Sequence, residues 1–222
     1  MGTPRVIALF SAACILTAGI SLASKPSAAP SVILDSSEIP ELEPWGRAAA
    51  NTMEEWYPRI AKLLYSEGYE PPEKIYLKIN NPGKGVAGTA GNRIGIAASW
   101  IKKEPGHGVL IHELVHVVQD YRGGGVGWLT EGIADYIRWG LYEKKPLEWF
   151  PVPRDPAKDY HQSYRVSAGF LYWLETDRSP GMVKKLNAAL REKRYSPDIF
   201  KKETGTDLNA LWAEYREARK KT

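Results

Sequence analysis

The sequence predicts an α+β fold, in which a small mixed β-sheet packs on a central helix and a mainly helical C-terminal half follows. The segments that read as strands all lie before residue 98, whereas helical periodicity dominates afterwards. The 222 residues, of which 43% are hydrophobic and eight are tryptophan, suffice for one well-packed domain. They are too few for two domains of ordinary size, so we expect a single domain over residues 31–222.

In the sequence, the predicted strands come before and after one long N-terminal helix. Residues 31–34 and 74–79 contain β-branched residues or alternate between apolar and polar, as strands do. We expect residues 86–89 and 92–97 to form one or two further strands. Residues 41–67 repeat apolar side chains at helical spacing, and Gly68 and Pro71 then end that helix. The repeated side chains are Trp45, Ala49, Met53, Trp56, Ile60 and Leu64.

Helical periodicity then recurs to the C-terminus. We expect helices at about 107–121, 128–141, 158–176, 180–193 and 207–220. Residues 145–156 contain four prolines and should be irregular. Residues 85–91, GVAGTAG, fit two interpretations equally: an exposed edge strand that hydrogen-bonds an extended peptide, or a glycine-rich hairpin loop.

The helix over 107–121 carries the motif His112-Glu113-Leu114-Val115-His116. Residues four apart lie one turn above each other on a helix, about 5–6 Å apart at Cβ, so both imidazoles can reach one metal ion. Glu113 lies about 100° further round the helix and can address a water on that metal. Zinc takes imidazole nitrogens and lowers the pKa of water, which then needs a nearby carboxylate as base. This spacing therefore predicts a catalytic zinc site.

The next predicted helix supplies the remaining groups. Glu131 lies near its start and Asp135 one turn later on the same face, after a glycine-rich turn. Catalytic zinc sites use three protein ligands and leave one position for water. We therefore predict His112, His116 and Glu131 as ligands, and Asp135 as the acceptor of a ligating histidine's outer N–H. His107, five residues before His112, lies off this face.

Two segments, HELVHVVQDY and GWLTEGIADYIRW, resemble the plant and bacterial basic secretory proteins, a family of zinc peptidases. More loosely they are similar to gluzincins of the thermolysin type. The resemblance extends from about residue 31 to 175, through PELEPWGRAAANTMEEWYPRIAKLL, GVAGTAGNRIGIAASWI and YRVSAGFLYWLE. It implies a zincin-like fold and pairs Asp135 with His112. Only fourteen residues separate His116 from Glu131, fewer than thermolysin-like enzymes use. A metzincin is excluded because Gln119 stands where its glycine would be.

The expected activity is hydrolysis of peptide bonds by zinc-activated water, with Glu113 as general base. The oxyanion needs a further donor, and the candidates are Tyr164 and His161. The resemblance favours Tyr164, because a tyrosine recurs at this place in the family. The alternative is a non-catalytic secreted protein that contains zinc and serves binding or defence.

The N-terminus predicts export. Arg5 precedes an apolar run and Ser21-Leu22-Ala23, so we interpret residues 1–23 as a cleavable signal peptide and 24–30 as a linker. An uncleaved membrane anchor is the alternative. We expect a secreted or periplasmic protein with no stable membrane insertion after cleavage. Cys14 is the only cysteine, so the mature chain would have no thiol chemistry.

The formal net charge of +4 leaves nucleic-acid binding as a third hypothesis. Acidic residues are interspersed among the basic ones, and no aromatic-plus-basic recognition module is present in the sequence. We therefore expect no specific nucleic-acid partner. The expected partner is a peptide or protein substrate, bound by a monomer.

Overall fold

The computed structural model describes residues 30–123, 125–162 and 164–220. The predicted signal peptide and nearly all of the predicted linker lie outside these residues. Within the described ranges, no helix is both long and apolar enough to cross a membrane. The described chain is a mixed α+β structure with a small sheet and mostly helical content, as predicted.

The sheet contains four strands among the described residues. They are β1 (Ser31–Asp35), β2 (Lys74–Asn80), β3 (Ala87–Ala90) and β4 (Arg93–Ala97), in the spatial order β1-β2-β4-β3. The β1–β2 and β2–β4 pairs are parallel, and β3 runs antiparallel to β4. Ala90 pairs with Arg93, so β3 and β4 form a tight hairpin in which Gly91 takes the positive φ of 58° that such turns require. Residues 87–90 of the glycine-rich segment are therefore an edge strand of the sheet, and the binding of an extended peptide along it stays a prediction.

The helices follow the predicted order, with two additions. They are α1 (Glu43–Leu63), α2 (Ala98–Lys103), α3 (Gly108–Gln119), α4 (Gly127–Asp135), α5 (Tyr164–Trp173), α6 (Met182–Arg191), α7 (Asp198–Thr204) and α8 (Leu208–Ala218). Helices α4 and α5 continue as π-helical turns over Tyr136–Tyr142 and Leu174–Arg178. The sequence analysis did not predict α2 or α7. Helices this short depend on tertiary packing, here the burial of Ile101 and Phe200.

Helix α3 lies at the centre of the molecule. It packs against α1, α4 and strands β3 and β4, and nearly all of its residues are buried. Its apolar side chains explain this position, because they occur on every side of the helix. His112 and Glu113 interrupt the apolar surface and are each only 7% exposed. Buried polar groups of this kind must be paired or bound to a metal.

Two contacts hold the helices in place around α3, one between α6, α3 and α1, and the other between α4 and α5. Arg191 on α6 donates to the carbonyl oxygens of Val118, at the end of α3, and Leu64, just after α1, at 2.6 and 3.2 Å. A cation there satisfies carbonyl groups that a helix end leaves unpaired. Helices α4 and α5 approach so closely that a Cβ on Gly132 would lie 2.6 Å from the Cβ of Ser167. This approach brings the start of α5 to the site described next.

Candidate metal centre

The structure brings together the three predicted ligands. His112 Nε2 lies 3.1 Å from His116 Nε2 and 3.2 Å from Glu131 Oε2, and His116 Nε2 lies 3.7 Å from that same oxygen. The two histidines come from consecutive turns of α3, and Glu131 comes from the first turns of α4. One ligand atom from each residue therefore converges on a common point.

The opposite ring nitrogens of the histidines are both occupied. His112 Nδ1 lies 2.7 Å from Asp135 Oδ1, which is the predicted pairing. His116 Nδ1 lies 2.7 Å from Gln119 Oε1, while Gln119 Nε2 donates to the Thr130 carbonyl at 3.0 Å. The second bond sets the orientation of the Gln119 amide, so its oxygen faces His116 as an acceptor. With Nδ1 donating, each histidine presents Nε2 to the meeting point and can bind a cation through the lone pair of that nitrogen once it is deprotonated.

The electrostatics of the centre favour a positive charge at the meeting point. Burial by itself would lower the pKa of His112, but hydrogen bonds to Asp135 and Glu131 outweigh it and raise the pKa to about 9. Burial likewise would raise the pKa of Glu131, yet hydrogen bonds from both histidines lower it to about 2. The positive charge beside the Glu131 carboxylate can come from a proton on His112 or from a metal cation that takes its place.

The donor set fits zinc in both chemistry and size. Two imidazoles and one carboxylate are a ligand set that zinc uses in catalytic sites. With ligands at about 2.0–2.1 Å in tetrahedral directions, two ligand atoms lie roughly 3.3–3.4 Å apart. The observed separations of 3.1, 3.2 and 3.7 Å bracket this value.

Glu113 is held beside the ligands by the edge strand. Thr89 on β3 lies 2.7 Å from Glu113 Oε2 and 3.0 Å from the Glu113 carbonyl oxygen, and its hydroxyl can donate to either. Among the described residues, no group hydrogen-bonds the other carboxylate oxygen, Oε1. The carboxylate thus has one anchored oxygen and one that is available to accept a proton.

The two candidate oxyanion donors lie in different places. Tyr164 is the first residue of α5, and its ring lies 6.3 Å from that of His112 at an interplanar angle of 18°. Its pKa is raised, chiefly by the charge of Glu131 and then by burial, so the hydroxyl keeps its proton at neutral pH. His161 instead pairs with Asp159 and is 61% exposed, away from the ligands. His107 pairs with Thr52 and lies outside the centre.

Tyr164 also has an unusual backbone. Its φ is +48°, a left-handed value that non-glycine residues seldom adopt, and its side chain is 55% exposed. An exposed, strained aromatic residue beside a cluster of ligands is a common feature of functional sites. In this conformation the ring of Tyr164 lies beside the imidazole of His112.

A cleft of about 570 Å³ gives access to these groups. Its floor contains the two histidines, Glu113, Glu131 and Asp135. One wall is strand β3 with the residue before it, Val86, and the other walls include Trp100, Trp139, Arg138 and Arg165. The cleft is open to solvent, so an extended chain can enter it.

A family model described as a peptidase of plants and bacteria, BSP, matches residues 46–215. The chain belongs to this family. The resemblance inferred from the two helical segments is thereby confirmed, and the BSP description supports a peptidase-type hydrolase whose substrate is a protein or peptide. No curated protein and no solved structure shows a significant match to the chain.

Sequence reasoning missed two residues of this BSP site, Gln119 and Thr89. Gln119 was considered only as evidence against a metzincin, although its spacing of three residues from His116 places both on one helix face. Thr89 carries no comparable local signal, because it lies 24 residues before Glu113 and reaches it only through the sheet.

Proposed function

We propose that the protein is a secreted, zincin-like zinc peptidase. The observation that carries the proposal is the convergence of His112 Nε2, His116 Nε2 and Glu131 Oε2 within 4.8 Å of one another. Membership of a peptidase family and the HExxH spacing support it. Residues 1–23, which have the composition of a signal peptide, support export.

His112, His116 and Glu131 would hold the zinc, and Asp135 and Gln119 would orient the two imidazoles. Zinc in such a site lowers the pKa of a water molecule and polarises the carbonyl of the scissile bond. The remaining chemistry is proton movement and charge stabilisation by the chain's own residues.

Glu113 is the proposed general base. Its anchored oxygen, Oε2, is fixed by Thr89, so Oε1 can take the proton of the attacking water and deliver it to the leaving amine. The Thr89 bond also sets the distance between the carboxylate and the edge strand, where we expect the substrate to lie.

Tyr164 is the proposed oxyanion donor. Its hydroxyl remains protonated at neutral pH, and its ring stacks beside His112 at 6.3 Å. A donor aimed at developing negative charge stabilises the transition state more than the substrate. The exposed edge of β3 is the proposed backbone partner of an extended peptide, by strand addition.

The test compares the wild type with Glu113→Gln in a digest of casein and of a mixed peptide library. We expect the variant to lose turnover by several orders of magnitude while elemental analysis still finds about one zinc per chain. Glu67→Gln is the matched control, because Glu67 is exposed on the surface and its replacement should leave turnover unchanged. A chelator should abolish the wild-type activity.

Two outcomes would refute the proposal. Full activity of Glu113→Gln would show that another group is the base. A wild-type protein that binds zinc but digests neither casein nor any library peptide would instead favour the non-catalytic zinc protein considered above.

A further inference from the structure

Beyond the metal ligands, the cleft has a wall of alternating arginine and tryptophan side chains. Arg138 lies 3.9 Å from the ring centre of Trp139, the rings of Trp139 and Trp149 are 4.7 Å apart, and Arg165 lies 5.3 Å over Trp149. We call these four residues the Arg–Trp wall. Arg138, Trp139 and Arg165 line the same cleft as the metal ligands.

Arg138 continues the face of α4 that carries the metal centre. It follows Glu131 by seven residues and Asp135 by three, which are helical repeats of one stripe. The stripe therefore runs from the metal ligand, through the residue that orients His112, to a guanidinium group. Arg138 therefore places a fixed positive charge in the same cleft as the metal centre, further along the helix.

The guanidinium of Arg138 is held before any ligand binds. Its face packs on Trp139, and its Nε lies 3.2 Å from Glu143 Oε1. The pair sits against Gly108, where a Cβ would lie 2.1 Å from that carboxylate oxygen and 3.2 Å from Arg138 Nε. Only glycine leaves this space at the start of α3. A guanidinium fixed in this way loses little freedom on binding a ligand.

The other end of the Arg138 fork has no partner within the described chain. Glu143 contacts only Nε, and no described group hydrogen-bonds Nη1 or Nη2. These two nitrogens form the fork that binds a carboxylate with two parallel hydrogen bonds. Arg165 is exposed, and among the described residues no carboxylate lies within ion-pair distance of it.

The carboxylates that line the cleft are already engaged. Asp135 bonds His112, Glu131 faces both histidines, and Glu113 accepts from Thr89. Arg138 and Arg165 are the positively charged side chains that line the described cleft outside the metal centre. A positive site in a concave surface selects a negative group.

We propose that Arg138, assisted by Arg165, binds a carboxylate of the substrate, so that the enzyme prefers peptides with an acidic group on the side of the Arg–Trp wall. The group is either a Glu or Asp side chain or the free C-terminus of the peptide. This inference rests on the proposed peptidase function and adds the substrate class to it.

The experiment uses internally quenched peptides in matched pairs. One series replaces Glu by Gln at each position around a mapped cleavage site, and a second compares free C-terminal acid with the amide. We expect kcat/KM to be roughly tenfold or more higher for the acidic member at one position, or for the free acid. The first result identifies a side chain as the carboxylate and the second identifies the C-terminus.

Variants then connect the preference to the wall. Arg138→Lys keeps the charge but loses the planar fork, and Arg165→Gln removes an exposed charge. Each variant should therefore reduce the ratio of kcat/KM between the acidic peptide and its neutral partner. Lys184→Gln is the control, because Lys184 also lies over an aromatic ring, that of Tyr65 at 5.2 Å, outside the cleft. Zinc content should stay the same in all three variants.

The outcomes separate this inference from the function on which it rests. Ratios near one at every position, with peptides that are cleaved, overturn the carboxylate preference and leave the peptidase intact. If the wild type prefers the acidic peptide but neither arginine variant changes that preference, the assignment of the carboxylate site to Arg138 and Arg165 is overturned and the peptidase again stays intact. A wild-type enzyme that cleaves no peptide overturns the peptidase, and the substrate preference falls with it.

Discussion

The replacement Gln119→Met tests how the metal centre is held together. Gln119 is 1% exposed and joins His116 on α3 to the carbonyl of Thr130 on α4, the residue before the proposed ligand Glu131. Methionine has a similar length but neither hydrogen bond. The replacement therefore removes a side chain that contacts His116 and also connects it to α4, the helix that carries Glu131.

The expected cost follows from the two lost bonds, of 2.7 and 3.0 Å. Leaving a buried polar group unpaired costs about 1–3 kcal/mol, and here two groups are affected. The side chain of His116 is 18% exposed, so water can partly replace its partner. We therefore expect the free energy of unfolding of the metal-free protein to fall by about 2–3 kcal/mol.

Zinc binding should weaken as well. Loss of a group that orients a ligating histidine typically lowers metal affinity by about 10–100-fold, or roughly 1.4–2.7 kcal/mol. The assay is competition for zinc between the metal-free protein and a chelating dye, together with urea denaturation. Gln162→Met is the control, because Gln162 is exposed on the surface. Zinc affinity of Gln119→Met within twofold of the wild type would refute the orienting role.

Two further predictions concern the base and the aromatic core. Thr89→Val keeps the branched shape but removes the hydrogen bond to Glu113. We therefore expect kcat to fall about ten- to a hundredfold while the zinc content stays the same. An unaltered kcat would show that the proposed base does not need this hydrogen bond. Burial raises the pKa of Tyr215 to about 12, against an opposing effect of Arg219, so its neutral form is favoured in the folded state. The contribution of the neutral Tyr215 side chain to the free energy of unfolding is complete below pH 10. It is lost as the pH rises towards 12, which lowers the free energy of unfolding by about 2–3 kcal/mol. Denaturation curves between pH 8 and 12 should show this loss, and Tyr215→Phe should flatten the slope; equal slopes would contradict it.

Local rules of the sequence were enough for most of the metal centre. The four-residue spacing of His112 and His116 places both on one face of any helix, whatever surrounds it. The same rule applies to Glu131 and Asp135. The strands β1, β2 and β4 were predictable for a similar reason, because each carries a β-branched or alternating pattern within a few residues.

Contacts between distant segments could not be predicted in this way. Thr89 reaches Glu113 because β3 pairs with β4 in one register, and register depends on the whole sheet. The pairing of Arg138 with Glu143 against Gly108 likewise depends on how α3 meets the end of α4. Such contacts are set by packing between elements, which leaves no repeat in the sequence.

Tyr164 and His161 show most clearly the difference between what the sequence predicts and what the tertiary structure decides. They lie three residues apart in one segment, and the sequence offered both as oxyanion donors because each bears a suitable polar group. The sequence alone determined the six longer helices, their faces and the types of candidate ligand, since these depend on near neighbours along the chain. Only the tertiary structure decided which residue faces the ligands: the close approach of α4 and α5 at Gly132 and Ser167 sets the start of α5, and the positive φ of Tyr164 accompanies its ring beside His112.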